Sequence, residues 1–222
     1  VGEENGNHFL SVDNIQEPHS FVELTEIQFP NPASQFTLSF WFRITDIRNM
    51  GEDIRIFCNQ DTNLWYNFQS GTIKHRGSAF GYQSTLRARM RYDPKSKGSV
   101  LETYPGKLLF PFRWVHSLIQ FDGMKFTTYH DTHLINTKSD AGATQLHWDE
   151  QIGFTLGGCN KASGEVRGLT GDIDDVVLFD QALSDQERRN VYAGLDITEM
   201  TALLPIEPLT LPAFLRDGST AT

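Results

Sequence analysis

The residues best placed to do chemistry are three arginines in a row of alternate positions, Arg87, Arg89 and Arg91. In a strand, a period of two puts all three guanidinium groups on one face, about 6–7 Å apart. Like charges that close repel, so something must balance them. Guanidinium forks match sulfate, phosphate and carboxylate groups in bidentate fashion, so one reading is a site for an acidic glycan or an acidic protein, assisted by Lys74, Arg76, Lys95 and Lys97. The other is pairing with the chain's own Asp and Glu across a sheet.

A second group consists of carboxylates. Asp172 and Asp174, two positions apart in Gly171–Phe179, would share a strand face. Retaining glycoside hydrolysis needs two carboxyls about 5–5.5 Å apart, and this pair is the nearest approach to that pattern. No third acid follows at a useful offset, since Val177 and Leu178 come next, and the chain is read as non-catalytic. By the same period Asp174 falls with Val176 and Leu178, which would bring a carboxylate to the edge of a core and require a partner for it. Asp122 and Asp131 lie on a hairpin rim and suit turns. His130, Asp131 and His133 supply too few ligands in one place for a transition-metal site.

These groups need strands to hold them, and the chain provides them. Phe36, Leu38, Phe40 and Phe42 alternate with Thr37, Ser39, Trp41 and Arg43, the pattern of a strand with one face in a core. Leu86, Ala88, Met90 and Tyr92 alternate in the same way with the arginine row. Further strands are expected at 8–12, 20–24, 54–58, 64–68, 113–121, 125–130, 154–156 and 171–179. Turns are expected at Asp61-Thr62-Asn63, Gly71, 93–98 and Asp122-Gly123. One helix is expected: Ser184 and Glu187 form a capping box, and Gly194 is placed to end the helix in a left-handed conformation. Many short strands and one short helix indicate an all-β sandwich or barrel.

The order of these segments resembles the laminin-G-like jelly-roll family within the concanavalin A-like lectins and glucanases. The segments that carry the resemblance are 9–13 with 20–24, Phe36–Arg43, then Arg113–His116 with Phe121-Asp122-Gly123 and Thr128–Asp131, and finally Gly171–Asp180 with Ala182-Leu183-Ser184 and Glu187. Thr132 departs from the pattern, which usually has Gly there, as does the basic stretch 74–97. The resemblance implies a two-sheet antiparallel β-sandwich over 1–195, followed by a Pro-containing tail over 196–222 that packs along the sandwich or links onward. It also implies a binding module for a glycan or a protein, from a larger extracellular or cell-surface protein. A structural scaffold domain is the alternative, and a glucanase-like hydrolase is disfavoured because its Glu-x-Asp-x-x-Glu arrangement is missing. Similar sandwiches hold a structural Ca²⁺ through an aspartate such as Asp174, or a ligand-bridging Ca²⁺ at a rim where Asp122 and Asp131 are candidates.

Composition agrees with a core of sheets. The chain has 222 residues, 16 of them Phe, and needs no staple to bury a core. A net charge of −9 argues against general nucleic-acid binding. Between Lys74 and Lys97 there are seven Lys or Arg and a single acid, Asp93, an asymmetry that suits a local anion site in an acidic protein. Trp65, Tyr66, Phe80, Tyr82 and Tyr104 could stack on a sugar or fill the core. Cys58 and Cys159 could form one disulfide or remain two buried thiols. No stretch approaches the roughly 20 apolar residues of a membrane span. The chain opens Val-Gly-Glu-Glu with neither Met nor secretory leader, as expected of a mature or trimmed segment.

Overall fold

The computed structural model describes residues 2–4, 7–14, 21–24, 27–50, 53–60, 67–74, 84–96, 98–103, 108–151, 153–159 and 168–194. The turn expected at Asp61-Thr62-Asn63, the aromatics Trp65, Tyr66, Phe80, Tyr82 and Tyr104, the cations Arg76 and Lys97, and the tail lie outside these residues, as does the side chain of Lys74.

The strands are β1 (Gly2–Glu4), β2 (Asn7–Val12), β3 (Val22–Leu24), β4 (Phe36–Ile44), β5 (Ile54–Gln60), β6 (Asn67–Lys74), β7 (Ser84–Arg91), β8 (Val100–Thr103), β9 (Leu108–Leu109), β10 (Val115–Phe121), β11 (Lys125–His130), β12 (His133–Ser139), β13 (Phe154–Leu156) and β14 (Gly171–Phe179). The helix α1 spans Asp185–Tyr192. The first sheet has the order β1-β2-β14-β4-β10-β11-β12, and the second β3-β13-β5-β6-β7-β8 with β9 also paired to β7. All these strand pairs are antiparallel. The fold is a jelly-roll sandwich, as the resemblance implied.

The core lies between the sheets. Phe36, Leu38, Phe40, Phe42 and Ile44 of β4 face Phe57, Phe68, Leu86, Ala88 and Met90 of the second sheet. Phe36 meets Phe68 edge-on at 5.0 Å between centroids, and Phe57 lies 5.0 Å from Phe154, within the range where such ring pairs add to burial.

The opposite face of the first sheet is also covered. The Leu183 N–H donates to Gln120 Oε1 (3.0 Å) and Thr37 Oγ1 (3.3 Å), so these two buried polar side chains are satisfied by the lead-in to the helix. Tyr192, on the last turn, packs 5.2 Å from Trp41 and 5.3 Å from His116. Arg188 stacks over Tyr129 at 4.4 Å. Helix α1 therefore runs in the direction of β4. The capping box forms as expected: Glu187 N–H donates to Ser184 Oγ and Ser184 N–H to Glu187 Oε2, which holds the Glu187 carboxyl below its usual range. Gly194 has φ +67°.

Two expectations are corrected. Gly71 is not a turn but the middle of β6, paired with Arg55 on one side and Arg87 on the other. A Cβ there would lie 2.0 Å from the Ile54 carbonyl oxygen, so glycine serves close backbone approach and not a reversal. Second, β14 is not regular throughout. A bulge between Asp174 and Val177, with Asp175 at φ +47°, shifts its register against β4. An extra residue reverses the alternation beyond it. Leu178 thus joins the core while Asp174, paired with Trp41, faces away from it.

Candidate functional site

The arginine row lies on the outer face of the second sheet, since Leu86, Ala88 and Met90 between its members are in the core. Gly71 sits between Arg55 and Arg87 in register, and with no side chain in the way both reach one carboxylate. Arg55 bonds Asp53 through both terminal nitrogens, and Arg87 Nη1 lies 2.9 Å from Asp53 Oδ1. Arg87 Nε also donates to Glu102 Oε1 at 2.5 Å. Burial by itself would raise the Asp53 carboxyl, but the hydrogen bonds and charges of Arg55 and Arg87 outweigh it and hold it below the ordinary value. Arg87 is pushed the other way, since the charges of Glu102 and Asp53 more than offset its desolvation. Arg87 thus follows the internal-pairing reading of the row.

The remaining members differ from it. Arg91 is buried, its Nη1 donates to the Ser96 carbonyl (2.8 Å), and it ties down the turn after β7. Desolvation and the neighbouring Arg89 lower its pKa. Glu102 stands directly opposite Arg89 in register, yet its carboxylate binds Arg87. Among the described residues the Arg89 side chain forms no hydrogen bond or ion pair, and its Nε is buried without a partner. Asp53 and Glu102 thus bind Arg55 and Arg87. Asp53 and Glu102 were not anticipated, because the Asp53–Arg87 contact spans 34 positions of sequence. Lys95 is exposed on the turn after β7.

The aspartates considered for calcium do not come together. Asp122 and Asp131 occupy the turns at opposite ends of β11. Asp122 Oδ1 accepts from the N–H groups of Met124 and Lys125. Asp131 Oδ1 accepts from His116 N–H, and its other oxygen lies 3.3 Å from His130 Nε2. Asp174 Oδ1 accepts from Asp175 N–H within the bulge. Among the described residues no group of three or more His, Cys, Asp or Glu forms a metal-sized cluster. Asp122 and Asp131, separated by the length of β11, do not share one rim position. His116 is buried, with Nε2 2.8 Å from Ser39 Oγ, and His133 is exposed.

Asp172 is held in an ion pair with Arg43. Its carboxylate accepts from Ser11 Oγ and from Arg43 Nε, both at 2.5 Å. Arg43 in turn stacks between Phe9 (5.1 Å) and Trp114 (4.9 Å). Cys58 and Cys159 are joined as a disulfide next to the β5–β13 pairing.

Two facing antiparallel sheets, with an arginine-rich outer face on one and a helix laid over the other, define a lectin-like β-sandwich. The chain belongs to the concanavalin A-like lectin/glucanases superfamily, whose laminin-G-type family profile matches residues 17–187. No curated protein sequence matches it. Among solved structures it is similar to a Bacteroides ovatus protein assigned as carbohydrate-binding (16% identity, TM-score 0.57, covering 84% of this chain and 50% of that one). It is also similar to a heptameric SAP-like pentraxin from Limulus polyphemus (14%, 0.56, 88% and 87%). A third is the receptor-binding domain of botulinum neurotoxin D (12%, 0.53, 78% and 41%). The chain spans half the length of the Bacteroides protein. At these identities the likeness is one of fold.

Proposed function

We propose that this chain is a non-catalytic recognition module that binds an anionic glycan, bearing sulfate or carboxylate groups, on the outer face of its second sheet. The observation that carries this reading is the state of Arg89 among the arginines there. Asp53 and Glu102 are engaged by Arg55 and Arg87, while Arg89 has a buried nitrogen without a partner among the described residues. Arg89 is only half-buried, and its terminal nitrogens would take an anionic oxygen in a partly desolvated setting, where a charge-assisted hydrogen bond is strong. Arg87 and Arg91 act as supports that fix the strand, and Arg89 is the contact residue.

Three further facts support the reading. Asp53, Glu102 and Asp172 are bound to arginines, unlike an acid and a nucleophile facing each other across a cleft. The same fold occurs in a protein assigned as carbohydrate-binding and in a toxin's receptor-binding domain, although fold alone does not name a ligand. The disulfide suits an oxidising extracellular or cell-surface setting.

An array of sulfated, uronic-acid and neutral glycans tests the proposal, with Arg89→Gln as the comparison. Selective retention of acidic glycans, weakened about tenfold in the variant, is expected for a lost charged hydrogen bond. Equal binding by both proteins, or selective binding of neutral glycans, would sink it. Release of reducing ends from β-glucans would overturn the non-catalytic part.

A further inference from the structure

Between β9 and β10 the chain crosses from the second sheet to the first through Phe110-Pro111-Phe112-Arg113. Both phenylalanines point outward, 60% and 65% exposed. Phe112 is held at φ 63°, a left-handed conformation unusual for an aromatic residue, while its N–H donates to the Ile44 carbonyl at 2.7 Å. Backbone strain that keeps a large apolar side chain in water invites a search for what covers it. The crossover from β4 to β5 lies at the same end of the sandwich and exposes Ile47. The Arg113 side chain is 67% exposed, with Asp131 3.9 Å away.

Helix α1 delivers the chain to this end. Its lead-in is fixed at Thr37 and Gln120, and its last residue, Tyr192, lies over Trp41 and His116. Those two residues neighbour Phe42 and Val115, a pair that stands two residues before Ile44 and three after Phe112. The charges of Asp131 and Arg113 both act on Tyr192. Residues 196–222, outside the described residues, begin two positions after Gly194. They carry Leu203, Leu204, Ile206, Leu209, Leu211 and Phe214, together with four acids (Asp196, Glu199, Glu207, Asp217) against the single cation Arg216.

We infer that the segment 196–222 of this same chain docks on the Phe110–Phe112 end of the sandwich. Its apolar residues cover the two phenylalanines, and its acids lie toward Arg113. The eight residues between Gly194 and Leu203 reach up to about 25 Å when extended, ample for a site at the same end of the molecule.

Hydrogen exchange of the full chain tests this, with a synthetic peptide of residues 196–222 as the unprotected reference. Amides of 203–216 should exchange at least about tenfold more slowly in the protein than in the peptide. Phe110→Ser/Phe112→Ser should return them to the peptide rate with the far-UV circular dichroism unchanged, and Arg113→Glu should weaken the protection severalfold. Exchange at the peptide rate in the unsubstituted chain overturns the inference. So does protection that survives both variants, or protection that fades on dilution and thereby reveals a second copy as the host.

Discussion

Arg43 and Asp172 form an ion pair on the outer face of the first sheet, directly opposite each other in the β4–β14 register, with the guanidinium stacked between Phe9 and Trp114. The contact joins three strands, because Ser11 of β2 donates to the same carboxylate. Replacing Asp172 with Asn removes the charge while keeping the shape, and leaves Arg43 mostly buried without its counter-ion. A loss of about 2–3 kcal/mol is expected from urea unfolding. A change under a few tenths would mean that the aromatic stack alone holds Arg43.

The turn between β11 and β12 should be improvable. Asp131 and Thr132 have φ of 48° and 66°, the left-handed pair that a two-residue type I′ hairpin demands. Asp tolerates this, but a β-branched Thr does so at a cost. Thr132→Gly is expected to raise stability by about 1 kcal/mol; a lower melting temperature for the variant would contradict the assigned turn.

Asp53 should give the protein an acid-sensitive component. Its folded carboxyl titrates below the ordinary value, so the stability it contributes is fully present above the unfolded value of about 3.9 and is lost as pH falls through the lower folded value. Unfolding free energy followed down from roughly pH 5 should fall more steeply in the parent than in Asp53→Asn. Parallel curves would remove Asp53 from the account of acid stability.

The disulfide closes a loop across a sequence separation of 101 residues. Cys58→Ser/Cys159→Ser should lower stability by about 2–4 kcal/mol, although the mechanism of such stabilisation is model-dependent. Thiol titration of the oxidised, denatured chain provides the check, and two reactive thiols would refute the bond.

Where the argument needed only local periodicity, the sequence was a sufficient guide. The β4 pattern from Phe36 to Phe42 and the Ser184–Glu187 box follow from side-chain alternation and from groups three residues apart. Strand β12 escaped notice because Leu134 is exposed and its strand buries little, which leaves no alternation to read. Of the candidate site, the common face of Arg87, Arg89 and Arg91 was legible, while their separate fates were not.

The amino-acid sequence by itself determined the buried face of β4 and the single face of the arginine row, because both depend on a repeat of two along one strand, and it carried the two-layer architecture through its resemblance to a family. Only the tertiary structure decided that Arg87 is neutralised by Asp53 and Glu102, that Gly71 is a close contact within a strand, and that Asp174 turns from the core. A salt bridge, a backbone approach and a bulge are each set by which strand lies alongside, and that is decided by packing between residues distant in the chain.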